Sequence, residues 1–161
     1  MSQWQSQTNA SLFYAQRLMS IYEKDRETLI QQDQHALLMG AWLCLKESWV
    51  CWLNELSAYM NLERPDGYQL DDLTLLLNSG LPEGQLLLGL TENPDSWLAI
   101  MLERVLKPTE RLNTTVKSNE SSLELISLVS TDKVDEGLLI DKTLSEFKQY
   151  IESVRVRQIE W

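Results

Sequence analysis

A mainly α-helical fold, an irregular bundle of about five helices around one long central helix, follows from three features of the sequence. From Gln34 to Leu62, the residues Leu38, Trp42, Leu45, Trp49, Trp52, Leu56 and Tyr59 recur at alternating spacings of four and three, which places them along one side of a helix. Beside that stripe runs a line of smaller side chains, Leu37, Ala41, Cys44, Ser48, Cys51 and Ala58, against which a second helix can approach closely. Proline and glycine signals at Arg64-Pro65-Asp66-Gly67, Leu81-Pro82-Glu83-Gly84, Asn93-Pro94 and Lys107-Pro108 then divide the remaining chain into short periodic segments.

Taken in order, residues 1 to 8 are polar, with Trp4 as the side chain large enough to anchor them. Thr8 or Asn9 caps a first helix bearing Leu12, Phe13, Ala15, Leu18, Met19 and Tyr22, which ends in the charged run 23–27. A second helix begins at Thr28-Leu29-Ile30-Gln31, which has capping-box form, or at Asp33, and runs through the central segment. If it spans 34–62 it is about 43 Å long and forms the floor of the domain. Arg64-Pro65-Asp66-Gly67 stops it. A short helix is expected over Asp71–Asn78, and residues 85–90, QLLLGL, read as helix. Asn93 as cap with Pro94 at the first helical position starts a helix whose buried face is Trp97, Leu98, Met101, Leu102 and Val105.

Residues 106–122 read as an exposed polar connection. Over 122–130 the apolar residues fit neither period, so a short strand and a helix both remain open. A strand there needs a partner, either residues 137–140 or another copy of the chain. The last helix is expected from Asp141 or Thr143 to Gln158, with Trp161 stapling the C-terminus to the bundle or sitting at an interface. No repeat and no long linker appears, so residues 1–161 are read as a single helical domain.

Composition narrows the function. Apolar residues at 43% and charged residues at 24% are those of a globular domain. The net charge of −10 repels phosphate backbones, and neither half of the chain is basic. Lys142, Lys148, Arg155 and Arg157 form the only concentration of positive charge and read as a solvated helix face. Apolar runs such as LLMGAWLCL are too short for a membrane span, and the N-terminus lacks the pattern of a secretory signal, which together imply a cytoplasmic protein with no membrane partner. Cys44 and Cys51 lie seven apart on one helix, too far for a disulfide, and read as buried reduced thiols.

Chemical motifs are scarce. The one histidine, His35, is too few for a ferritin-type di-iron site or a catalytic zinc site. The six glycines make neither GxGxxG nor a phosphate loop, and GxSxG is absent. Cys44 and Cys51 lie nine and sixteen residues beyond His35 on the same helix, out of reach of it as a base. No cofactor or metal is implied. The remaining candidates are the polar residues of the central helix. Glu47 and Asn54 project within roughly 20° of each other, flanked by Lys46 and Glu55, and could contact a ligand or a basic group of a partner.

The pattern Trp4, Thr8-Asn9, Leu12 and Ala15, followed by the tryptophan-rich second helix and the ending Gln158-Ile159-Glu160-Trp161, resembles a family of uncharacterised bacterial helical proteins known as a domain of unknown function. That resemblance covers most of the chain and implies no activity. The long helix pair also resembles the start of HEPN-type bundles, a group that includes toxin ribonucleases. Their motif places an arginine four to six residues before a histidine, whereas Arg26 precedes His35 by nine, so a ribonuclease role does not carry over.

The sequence therefore leads to a noncatalytic helical protein that acts through protein contacts, with a second copy of itself among the candidate partners. Two alternatives stand beside it: a small-molecule binder or enzyme that uses Lys46, Glu47, Asn54 and Glu55, and a nucleic-acid-associated HEPN-like protein without ribonuclease activity.

Overall fold

Ser2 starts the first helix earlier than the polar N-terminus suggests, because its hydroxyl accepts the Gln5 amide at 3.2 Å and so caps it. The computed structural model describes residues 2–106 and 135–159. Among these it places six α-helices: α1 (Gln3–Asp25), α2 (Gln31–Tyr59), α3 (Leu73–Leu77), α4 (Pro82–Glu92), α5 (Trp97–Leu106) and α6 (Glu136–Ile159). A 3-10 turn, Leu70–Asp72, leads into α3. The protein is a mainly α-helical bundle. Thr8, expected to cap α1, is buried in the helix interior and bonds the Trp4 carbonyl at 2.9 Å. The candidate strand near 122–130, the connection over 107–122 and Trp161 lie outside the described residues.

Several boundaries differ from the sequence reading, each for a local reason. Thr28 turns back to the Asp25 carbonyl at 2.9 Å and closes the α1–α2 turn, so α2 begins at Gln31 rather than at a Thr28 cap. Its C-terminus comes before Pro65. Asn61 adopts φ +54, and the Asn61 and Leu62 amides bond the carbonyls of Ala58 and Ser57, a left-handed closure that ends the helix at Tyr59, six residues before the proline. Ser96, not Asn93, caps α5: its hydroxyl accepts the Ala99 amide at 3.0 Å, while Asn93 holds the Asp95 amide in the preceding turn. Residues 137–140, considered as a strand, form the first turn of α6, because Asp135 accepts the amides of Gly137 and Leu138 at 2.9 and 3.3 Å.

The indole stripe does organise the interior. Trp49 and Trp52 are 0% exposed, and Leu45 and Leu56 are equally buried. Trp49 meets Trp97 of α5 and Phe147 of α6 edge-on at 5.7 and 5.6 Å, and those two rings stack at 4.8 Å. Tyr150 of α6 closes the chain of rings against Trp97 and Trp52. Each such pair adds about 1 kcal/mol beyond its area. The line of small residues packs on α1 as its size predicts: Ala41, Ser48 and Cys51 are buried, and the Ser48 hydroxyl donates to the Thr8 carbonyl at 3.4 Å. Cys51 is a buried free thiol and Cys44 a half-buried one.

Length and composition alone would let α2 cross a membrane, since an 18-residue window reaches a mean hydropathy of 1.2. Part of that window is buried beneath α1, α5 and α6, as in the core helix of a globular bundle.

Polar straps bind the helices together. Arg104 of α5 pairs with Glu136 of α6 at 2.8 Å, and the Trp42 indole N–H donates to the same carboxylate at 3.1 Å. Lys142 donates to the Asp95 carbonyl, Lys148 to Gln16 of α1, and Arg157 lies 3.9 Å from Glu83. The positive residues near the C-terminus therefore act as ties between helices rather than as one basic patch.

Where α1 ends and α6 begins, three carboxylates converge. Burial, a hydrogen bond shared with Glu23, and the charges of Glu23 and Asp135 push Asp141 up from 3.8 to about 6. The raised value means that the folded chain holds this proton more tightly than the unfolded chain does. The stabilising contribution is complete below pH 3.8 and is lost as pH rises through about 6. The Asp141→Asn variant is expected to melt at a higher temperature than the parent protein at pH 7.5, with the difference shrinking to nothing by pH 4. Thermal denaturation of both proteins across that range checks it.

Candidate functional site

Lys46, Glu47 and Asn54, spaced along one side of α2, do converge on a common space. They line a groove of about 780 Å³ together with Trp4 and Gln7 of α1, Val50 and Cys51 of α2, Tyr68 to Asp71 of the following loop, and Val105 at the end of α5. The α1 residues reach it because the two long helices run antiparallel, with Gln7 level with Cys51.

Asn54 builds the wall of the groove. Its amide oxygen accepts the Tyr68 amide at 2.6 Å, and its Nδ2 donates to the Tyr68 carbonyl at 2.9 Å and to the Val50 carbonyl at 2.8 Å. One side chain thus satisfies both backbone groups of Tyr68 and fixes residues 62–69 against α2. Gly67, at φ +69, permits the approach, since a Cβ there would stand 2.7 Å from the Asn54 oxygen. The turn itself is the expected one, with the Gly67 amide bonding the Arg64 carbonyl at 3.0 Å around Pro65 and Asp66. Arg64 then reaches over the Tyr68 ring and pairs with Asp72 at 2.9 Å; the Gln69 amide first, and then Arg64, hold the Asp72 carboxyl below its usual range. Asn54 is therefore fully occupied in supporting the loop.

Glu55, read from the sequence as a flank of this polar side, points elsewhere. One residue turns a helix by 100°, and that step carries Glu55 round to face α1 and α6. It is 1% exposed and takes a bidentate pair from Arg155, at 2.8 Å from Nε and 2.9 Å from Nη2. The Tyr59 hydroxyl donates to it at 2.7 Å, and burial followed by that bond pushes the phenol up to about 12. Arg155 also donates to Asn9 and lies over the Trp52 ring, so the pair ties three helices together. It is a structural clamp.

The remaining polar groups face the open side. Lys46 is half-buried and Glu47 exposed. Glu47 also touches the Cys51 thiol at 3.9 Å. Burial first, and then the Glu47 charge, push that thiol up to about 11, so it stays protonated and is a poor nucleophile near neutral pH. Among the described residues, no group of three or more His, Cys, Asp or Glu could hold a metal ion. Gln7, Gln69 and Asp71 were not anticipated as lining residues. The seven-residue rhythm Trp4, Ser11, Leu18 with Gln7 and Tyr14 between them marked that side of α1, whereas the loop residues carry no periodic signal.

Fold and site together define a mainly helical bundle with an open, mixed-polarity groove on the outer side of its longest hairpin. The chain belongs to the family described as "Family of unknown function (DUF6586)", whose model matches residues 1–161. No curated protein and no solved structure matches it.

An aspartate at position 54 would turn a second oxygen toward the carbonyls of Tyr68 and Val50, losing two donated bonds and placing a charge among acceptors. Asn54→Asp is expected to cost about 2–3 kcal/mol in urea unfolding and to expose residues 62–69 to limited proteolysis. Glu55→Gln removes the partner charge of Arg155; with part of that guanidinium in water, the expected cost is about 2–3 kcal/mol. Combining Glu55→Leu with Arg155→Met is expected to recover most of it, and a double-mutant cycle measures the recovery.

Proposed function

We propose that this protein is a noncatalytic binding module that works through protein contacts made by the outer side of the α1–α2 hairpin. The carrying observation is a set of large apolar side chains left in water there: Tyr14 is 57% exposed, Leu43 60% and Trp4 37%, in a bundle that buries most of its other aromatic rings. Phe13 stands beside Tyr14 in an edge-to-face pair and is exposed too. Clustered aromatic and aliphatic groups with few charges are the composition of an interface centre, and charged groups such as Arg17 and Glu47 supply its rim. The groove continues this surface toward the N-terminus of α1.

A photo-cross-linking amino acid at position 14 or 43, introduced in the cells that naturally hold the protein, is expected to give a discrete protein adduct. The same probe at Gln149, exposed on α6, gives none. Leu43→Glu in the same chain abolishes the adduct from position 14. Equal labelling from all three positions, or none from any, would sink the reading.

A second reading, a small ligand held in the groove, draws on its volume, which falls in the range of ligand sites of about 300–1,000 Å³, and on the Trp4 ring and Lys46 cation lining the same space. Under that reading, Lys46→Ala rather than Leu43→Glu is the variant that loses binding. Nucleic-acid association has less support, since Lys148, Arg155 and Arg157 are each engaged with another helix and Lys142 with the turn before α5.

A further inference from the structure

The α1–α2 hairpin has two grooves, and α6 fills only one. On the α6 side, Gln16, Asn9 and Glu55 meet Lys148 and Arg155. On the other side, α1 presents Tyr14, Leu18 and Ile21, at spacings of four and three, in line with Trp4, Gln7 and Ser11. Facing them, α2 presents Gly40, Leu43 and Val50 with Glu47 between, also at spacings of three and four. Sustained three-four spacing is the pattern of a helix–helix seam. Antiparallel register joins the two lines. The Cys51 thiol meets Gln7, Ser48 meets the Thr8 carbonyl, and a Cβ on Gly40 would lie 3.1 Å from Leu18, which sets Leu43 level with Tyr14 at the middle of the face. Among the described residues nothing covers Tyr14 or Leu43.

Charge indicates the occupant. The chain carries 24 acidic residues against 14 basic ones, so two copies repel wherever their carboxylates meet. Residues 1–22, nearly the whole of α1, contain no Asp or Glu, and neither do residues 34–46 of α2. Apart from Glu47 at one end, the seam is thus the region where a second acidic chain can approach closely. A face made of two antiparallel helices also calls for two helices to cover it, which the same hairpin related by a two-fold axis supplies, completing a four-helix layer. With α1 about 34 Å long and the pair about 20 Å across, the face offers at most about 700 Å² per chain, its Trp4 end being bordered by Gly67, against the roughly 800 Å² that each partner of a standard interface buries.

We infer that the protein pairs with a second copy of itself through this seam, α1–α2 against α1–α2, with Tyr14 and Leu43 near the two-fold axis. The inference rests on the protein-contact reading above and gives it a partner. Light scattering at about 100 µM protein is expected to report twice the 18.7 kDa of the chain. Tyr14→Glu and Leu43→Glu each weaken association at least about tenfold while leaving the circular dichroism spectrum unchanged. Leu138→Glu, at an exposed site on α6, leaves the pair intact. A single-chain mass for the parent protein overturns the inference, as does a dimer that persists in both seam variants. If the parent is a single chain but position 14 still cross-links a different protein, self-pairing fails and the contact reading stands; a single chain with no adduct removes both.

Discussion

One helix is too apolar to be covered by a single layer, and much of the architecture follows from that constraint. In α2 the indole stripe and the small-residue line are rotated from each other by about a quarter turn, so two separate surfaces must be buried. The large stripe needs volume opposite it, which Trp97, Phe147 and Tyr150 supply from two further helices. The small line needs proximity instead, and α1 brings Ala15, Leu12 and Met19 close against it. A chain of this length can do both because α1 and α2 are connected by a short turn and lie antiparallel from the outset.

The aromatic interior constrains its polar groups in turn. Glu55 stands on the α2 surface that α1 and α6 share, and leaving its charge unpaired there would cost several kcal/mol. Arg155 answers it through a planar fork that also lies over Trp52, so one guanidinium satisfies a carboxylate and covers an indole. Asn54, one residue away along the chain, solves a different problem. Its amide replaces the hydrogen bonds that the loop backbone at Tyr68 would otherwise lack. Adjacent polar residues of one helix thus serve different neighbours, and only Lys46 and Glu47 are left to face the groove.

The mainly helical bundle and the course of α2 were legible in the sequence because indoles at three-four spacing leave little alternative to a buried helix. Helix starts were less so. Ser96 and Asn93 are both competent caps three residues apart, and the choice falls to Ser96 because its hydroxyl also bonds the Leu90 carbonyl, a tertiary contact with no local signature. At the N-terminus the signal is faint: Ser2 precedes Gln5 by three, as a capping residue should, but the polar run after it carries no apolar rhythm until Leu12. The groove was half legible. Lys46, Glu47 and Asn54 share a side by helical geometry alone, but the partner that occupies Asn54 is a backbone, which no residue type announces.

The same property that made α2 easy to recognise also limits what the fold can bury. A helix apolar around most of its circumference asks for neighbours on more sides than α1, α5 and α6 occupy. Along the strip at Gly40, Leu43 and Val50 cover thins among the described residues, with Gly40 and Val50 half-buried and Leu43 exposed. A lone exposed leucine on a soluble protein needs no explanation. An exposed leucine level with an exposed tyrosine on the adjoining helix is different when both sit in three-four register beside stretches from which carboxylates are missing. Their removal would lower the apolar surface at no evident cost to the core, since neither side chain contributes to the ring cluster that holds the helices together. Retaining them makes physical sense where that surface is covered by something else, and the acidity of the rest of the chain leaves this hairpin as the place where another copy can approach.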